Sequence, residues 1–285
     1  MSPIVAVDHP DPGSVPVRDA ATVMLVRDGA HGLEVCMLQR NLQSDFVGGA
    51  YVFPGGGVDP EDADDDVAEV CVGRDDAAAS SAVGVERGGL SFWVAAVRES
   101  FEEAGVLLAR HADGDVVSFA DASTARRFEQ HRRDVDAGRR RLAEVCAEEG
   151  LLLCVGDMHY FSRWVTPLGA PRRYDTRFFV AAAPPEQEAL HDDREVIGTR
   201  WLTPRAALED HEQQRITMIF PTVRTMVALD RFDSAASVLA HAAAQGDVPA
   251  VVPMLEDEGG GLRLHLPGDP EGTGGVYDAV TGEPV

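Results

Sequence analysis

The chain contains no lysine: all 25 basic side chains are arginine, set against 48 carboxylates and a formal charge of −23. So acidic a chain repels nucleic-acid backbones and anionic lipid, which argues against a polymeric nucleic-acid partner and against a membrane-surface role. Long hydrophobic runs are missing too, none approaching the roughly 18 apolar residues of a membrane span. The few cysteines, Cys36, Cys71, Cys146 and Cys154, form no C-x-x-C pair. Their scatter speaks against a zinc site or a disulfide framework and for reduced thiols. Residues 1–30 hold Asp8, Asp11 and several prolines where a secretory signal would need a basic segment and an apolar core. Glu283-Pro284-Val285 is not a peroxisomal address. A soluble cytoplasmic protein is expected.

Enough remains for a substantial core, since 285 residues suffice for one large or two small domains. Residues 1–17 read as a loose, proline-punctuated arm. Residues 22–27 and 33–39 flank Asp28-Gly29-Ala30-His31-Gly32 and predict a hairpin. Residues 59–89 are acidic and rich in small residues, poor in the large apolar groups that build a core; they predict a solvated loop with at most a short helix, or a lid. A helix begins near Phe92, its Val94, Val97, Phe101 and Ala104 on one face. Residues 122–148 predict an amphipathic helix pair, whose Arg139-Arg140-Arg141 run reads as a phosphate grip or as a solvated face. Strands follow at 160–165, 174–182 and 196–202, helices at 203–208, 220–229 and 235–244, and a terminal hairpin at 251–255 and 262–266. The alternation predicts a layered α/β or α+β domain over residues 18–267. Insertions fall at about 59–91 and 113–157, a helical extension at about 204–246, and a flexible tail at 268–285.

Within the helix near Phe92, Glu99 lies one turn from both Glu102 and Glu103, so three carboxylates crowd one patch. Like charges at that spacing destabilise a bare helix, and a hard divalent cation with oxygen ligands would turn the repulsion into a site. A solvated acidic face is the plainer alternative. Upstream, Tyr51-Val52-Phe53-Pro54-Gly55-Gly56-Gly57 runs a short apolar strand into a loop whose backbone can approach a phosphate closely.

Together, Phe53-Pro54-Gly55-Gly56, Asp62 and the run Arg98-Glu99, Glu102-Glu103, Gly105-Val106 resemble the signature of the Nudix hydrolases, G-x5-E-x7-R-E-U-x-E-E-x-G-U, where U is bulky and aliphatic. Asp62 stands where the signature has Glu, Ser100 where it has an aliphatic residue, and 35 residues separate Asp62 from Arg98 where it has 7. An interrupted box of this kind is similar to the Nudix subgroup of animal peroxisomal acyl-coenzyme A diphosphatases. Counterparts to that subgroup extend from Gln39-Arg40, Phe46 and Gly49-Ala50 through Trp164-Val165-Thr166-Pro167, Arg172-Arg173-Tyr174-Asp175-Thr176 and Glu195-Val196-Ile197-Gly198 to Pro253-Met254-Leu255.

The resemblance implies an α-β-α sandwich around a mixed sheet and metal-dependent pyrophosphohydrolase chemistry on a nucleoside-diphosphate-linked small molecule. Coenzyme A or acyl-coenzyme A leads as substrate, giving adenosine 3′,5′-bisphosphate and (acyl)phosphopantetheine. ADP-ribose, NADH and dinucleoside polyphosphates remain alternatives, as does a non-catalytic Nudix-fold regulator. Magnesium or manganese would be held by Glu99, Glu102 and Glu103, with Glu103 or Glu99 also handling the attacking water and Arg98 holding the cluster. Gly55, Gly56, Arg40, Arg172 and Arg173 are substrate-binding candidates, the arginines because a guanidinium forks onto phosphate oxygens. Asp62 and Glu195 are candidates for an additional base or ligand. Tyr174, Thr176 and Phe178 share one strand face, suited to stacking adenine or to core packing. Homodimerisation stays an option.

Overall fold

The computed structural model describes residues 12–43, 48–191, 194–257, 262–267 and 275–278. Two long strands open it, β1 (Val17–Gly29) and β2 (Gly32–Arg40), followed by β3 (Tyr51–Val52) and β4 (Gly55–Gly57). Two short helices, α1 (Asp65–Glu69) and α2 (Asp76–Val83), precede the central helix α3 (Leu90–Ala104). Then come β5 (Ala109–His111), α4 (Ala122–Asp136), α5 (Leu142–Glu149), β6 (Leu151–Leu153), β7 (His159–Val165), β8 (Arg173–Ala182) and β9 (Val196–Leu202). Helices α6 (Pro204–Glu212), α7 (Phe220–Leu229) and α8 (Ala235–Ala244) lead to β10 (Ala250–Val251), β11 (Met254–Asp257), β12 (Leu262–His265) and β13 (Val276–Asp278).

The main sheet runs β10-β7-β8-β1-β2-β3, with β4 also on β1 and β9 also on β2. It is mixed: β1 pairs parallel with β8 and antiparallel with β2 and β4. Residues 20–26 of β1 are buried without interruption, as befits a strand covered on both faces. Alternate residues serve the two layers. Ala21, Val23 and Leu25 join Trp93, Val97, Phe101 and Phe179 under α3, whereas Met24 and Val26 join Phe178, Val223, Met226 and Val238 under α7 and α8. The result is the expected helix, sheet, helix sandwich.

Several expectations change. Beta-strand pairing begins at Val17, because residues 17–21 find partners in β8 and β4 that lie far away in sequence. Residues 1–11 of the expected arm, Phe46 and the turn at 258–261 lie outside the described residues. So does most of the expected tail, but Val276–Asp278 pairs with β12 and Tyr277 is fully buried, so that segment is no loose end. The apolar face of α3 is also wider than its sequence period suggests: Leu90 to Val97 are buried all round, and solvent reaches only its second half.

The larger correction concerns residues 59–91. They form a 3-10 turn (Pro60–Ala63), α1 and α2, and Val67, Ala79 and Val83 enter the main core. Val72 N–H donates to Leu153 O (3.0 Å) and Leu153 N–H to Val70 O (2.7 Å), which ties the segment to β6. Asp76 caps the return: its carboxylate accepts from Gly88 N–H (2.9 Å) and Leu90 N–H (3.0 Å). Small side chains bury little area each, yet they let backbones meet closely, and composition alone misses that. Val83→Ala therefore removes two sealed methyl groups and is expected to cost about 1.5–3 kcal/mol in urea unfolding. An unchanged midpoint would return the segment to a solvated loop.

Candidate active site

Arg98 organises the second half of α3. Its Nε–H donates to Asp62 Oδ1 (2.9 Å) and Nη2–H to Asp62 Oδ2 (3.0 Å), a bidentate pair; Nη2–H also reaches Gly57 O (2.8 Å). Nη1–H donates to Glu99 Oε1 (2.9 Å) and Glu102 Oε2 (3.2 Å). Burial works against the guanidinium charge, but Asp62, Glu99 and Glu102 more than offset it, and the pKa of Arg98 rises. Asp62 is 4 % exposed and also accepts from Asp59 N–H (2.8 Å). Both its oxygens are in use, which suits it to orienting Arg98 and not to the role of base or ligand.

The glycine loop lies directly over the carboxylates. Gly55 N–H donates to Glu103 Oε2 (3.0 Å), and a Cβ on Gly56 would fall 2.5 Å from Glu99 Oε1. Gly55 is equally constrained, since a Cβ there would meet Ala21 O at 2.6 Å. These glycines hold β4 against β1, with Gly55 paired to Thr22 and Gly56 to Ala21. Among the described residues, Glu99 Oε2, Glu102 Oε1 and Glu103 Oε1 make no hydrogen bond, so each carboxylate keeps a free oxygen.

Desolvation raises all three carboxyl pKa values. That of Glu102 reaches about 8, with Arg98 opposing the rise and Glu99, Asp136 and Asp62 adding to it. Glu99 and Glu103 move upward together, each burdened by burial; Glu103 is further raised by Glu99 and Glu195 and lowered by Gly55 N–H and Arg40. Three hard oxygen donors that are costly to ionise unaided fit a divalent cation. Among the described residues the three are not drawn within the 4.8 Å that one ion's ligand atoms span, and Arg98 Nη1 donates to both Glu99 and Glu102. A tighter grouping, His131, Glu148 and Glu149, lies within 4.8 Å, but Arg127 and Arg140 already supply its positive charge.

Arg40 and Glu195 reach the same region. Arg40 pairs with Val196 across β2 and β9, Asn41 N–H donates to Glu195 O (2.8 Å), and both side chains act electrostatically on Glu103. Arg172 and Arg173 stand apart. Arg173 pairs with Val17, five residues along β1 from the Thr22–Gly55 contact, on the order of 16 Å at a rise of about 3.3 Å per residue. Its Nε–H donates to Thr166 O (3.1 Å). The Arg139-Arg140-Arg141 run is a staple: Arg139 pairs with Asp134, Arg140 with Glu148, and Arg141 with Asp64 and Asp66 of the insertion. Phe178 packs edge-on against Phe53 in the core. Desolvation pushes the thiols of buried Cys36 and Cys146 and of half-buried Cys71 up to about 12. One contact without any sequence signal is Arg132 of α4, which donates to the main chain of Glu102 and Glu103.

A family model described as the NUDT19 Nudix domain matches residues 74–229. The acyl-coenzyme A diphosphatase NUDT19 of Xenopus laevis is 25% identical over 213 residues, which cover 64% of this chain and 56% of that protein. The acyl-coenzyme A diphosphatase NUDT19 of Homo sapiens is 27% identical over 234 residues, 72% of this chain and 62% of that protein. The chain thus spans somewhat over half the length of these relatives. A crystallised Nudix hydrolase from Alicyclobacillus acidocaldarius superposes with a TM-score of 0.67 at 25% identity, covering 83% of this chain and all of that one. No helix among the described residues is long and apolar enough to cross a membrane.

The carboxylate cluster sets a pH dependence. Its folded pKa values exceed the unfolded ones, so without a cation the folded state holds protons that the unfolded state releases, and stability falls as pH rises from about 4.5 to about 8. The EDTA-dialysed protein should therefore melt progressively lower across that window, Glu102→Gln should flatten the slope, and Mn2+ should raise the midpoint more at pH 8 than at pH 5.5. Equal slopes for wild type and Glu102→Gln would remove Glu102 as their source.

Proposed function

Because the chain belongs to the Nudix hydrolase family, with a NUDT19 Nudix domain over more than half of its length, we propose that it hydrolyses a diphosphate bond in coenzyme A or an acyl-coenzyme A. The reading is carried by the grouping of Glu99, Glu102 and Glu103 under the Gly55–Gly57 loop, with Arg98 locked by Asp62. The resemblance to acyl-coenzyme A diphosphatases supports the substrate. Bound to the three glutamates, Mg2+ or Mn2+ would neutralise charge on the diphosphate and favour water as nucleophile.

The protein's own part is positioning. Gly55 N–H fixes one oxygen of Glu103; Glu103, or Glu99 held by Arg98, would accept the proton of the attacking water. The water oxygen bonds to phosphorus, the bridging P–O bond breaks, and the products are adenosine 3′,5′-bisphosphate and (acyl)phosphopantetheine. Arg40, at the β2 end beside Glu195, supplies positive charge near Glu103 and is the nearer candidate for the diphosphate oxygens. Arg172 and Arg173, farther along the sheet, suit an outlying phosphate of the substrate.

The test is a panel of coenzyme A, acetyl-coenzyme A, 3′-dephospho-coenzyme A, ADP-ribose and NADH with Mg2+ and with Mn2+, the products identified by mass. Coenzyme A esters should be cleaved best, and Glu103→Gln should lower kcat by about two to four orders of magnitude. Preference for ADP-ribose or NADH would overturn the substrate class; full activity in EDTA would overturn metal dependence. Replacing both Arg172 and Arg173 by Gln should lower kcat/KM for coenzyme A about tenfold or more relative to the dephospho form, given about 1.5–3 kcal/mol per charge-assisted contact. Equal losses on both substrates would reject that role.

A further inference from the structure

The last four carbonyls of a helix lack partners within it, and where they are buried something outside must satisfy them. In α3 all four are accounted for. Gly105, in the left-handed region at φ 67°, donates its N–H to Phe101 O (3.1 Å), and Leu190 N–H donates to Ala104 O (2.9 Å). The remaining two belong to Glu102 and Glu103, and one side chain takes both. Arg132 of α4 donates Nε–H to Glu102 O (2.8 Å) and Nη2–H to Glu103 O (2.9 Å). Arg132 is 4 % exposed, and a Cβ on Gly105 would lie 3.0 Å from its Nη1, so glycine there makes room for the guanidinium as well as turning the chain.

We propose that Arg132 is a positioning residue for the cation-binding turn, setting through these two carbonyls the rotation at which Glu102 and Glu103 present their carboxylates. The inference rests on the reading of those glutamates as cation ligands. Three features favour it over simple packing. The guanidinium fork spans two successive carbonyls, which fixes orientation where a single contact would not. Its charge stands at the negative end of the α3 dipole. Its Nη1 also lies 3.7 Å from Glu129 Oε2, one turn back on α4, which steadies its aim. Arg140 can only donate, so His131 Nδ1 accepts from Arg140 Nη1 (3.0 Å) and His131 Nε2–H donates to Glu149 Oε1 (3.0 Å). Arg127 pairs with the same Glu149 through Nε (2.7 Å) and Nη2 (3.1 Å). This network joins α4 to α5 next to Arg132 in sequence, which gives the His131, Glu148, Glu149 grouping a use that involves no metal.

The test measures Mn2+ binding to the metal-free full chain by electron paramagnetic resonance, alongside kcat, KM and amide exchange, for Arg132→Gln and Arg132→Lys. Lysine keeps the charge and loses the fork. Arg132→Gln should raise the Mn2+ Kd about 10- to 100-fold, the usual loss for a partner that orients metal ligands, and lower kcat with KM changed by less than about twofold. Exchange should quicken at residues 102–106. Arg132→Lys should recover most of the thermal stability but only part of the Mn2+ affinity. A purely structural Arg132 would lower the melting temperature and leave the folded variants with wild-type Mn2+ affinity and kcat; that result overturns the proposal, and if Arg132→Gln does not fold, Arg132→Lys decides it alone. Glu103→Gln serves as reference: unaltered Mn2+ affinity in that variant would bring down the ligand reading itself.

Discussion

The site depends on one half-buried guanidinium. Arg98 meets Asp62, Gly57, Glu99 and Glu102 at once, joining the glycine strand, the turn after it and the helix that carries the glutamates. Removing its charge would leave three desolvated carboxylates facing one another, and breaking a buried pair of this kind typically costs about 3–5 kcal/mol. The same pair explains how the interrupted box functions as one unit. However long the excursion between Asp62 and Arg98, the bidentate contact brings its two ends together, and α1 and α2 project from that closed base into the core.

Legibility in the sequence followed the range of the forces involved. The glutamate cluster, the glycine turn and the main strands are set by local periodicity and turn chemistry, so they could be read directly. A layered α/β or α+β domain likewise followed from the order of elements, and the resemblance to Nudix hydrolases sharpened it to a sandwich. What escaped depends on partners distant in sequence. Val17 joins a strand because Arg173 lies beside it, and Tyr277 is buried because β12 and Phe220 receive it. The insertion looked too polar for a core, yet Ala79 and Val83 reach one through close backbone approach. Arg132 is one arginine among 25, and nothing nearby in the sequence distinguishes it from Arg133; both lie near Glu129, but Arg132 is buried and Arg133 exposed.

A chain with no lysine meets its need for positive charge with a planar, forked group throughout. Arg163 and Arg177 share Asp175 across neighbouring strands, Arg141 ties the insertion to α5, and Arg27 lies over Trp201. Arg177 combines an ion pair to Asp19 with a face-on contact to Phe92 at the start of α3, and Arg74 covers Trp93 in the next position. A compact ammonium offers no planar face to stack on Phe92, Trp93 or Trp201 and no fixed fork for a carboxylate. The guanidinium of Arg98 alone is shared among Asp62, Glu99, Glu102 and Gly57 O.

The parallel pairing of β1 with β8 also bears on how the chain reaches this structure. Residues 17–26 must find residues 173–182, and all of α1 to α5 lies in the loop that this pairing closes. Closure entropy grows only slowly with loop length, so the two insertions add little to its equilibrium cost. Rates respond differently, because contacts so distant in sequence form late unless local structure shortens the effective separation. Helix α3 can provide that shortening. It buries Trp93 against Phe179 of β8 and rests on Ala21 and Val23 of β1, so once formed it offers both strands a common surface on which to meet. The element that carries the carboxylates would then also be the template on which the central sheet assembles.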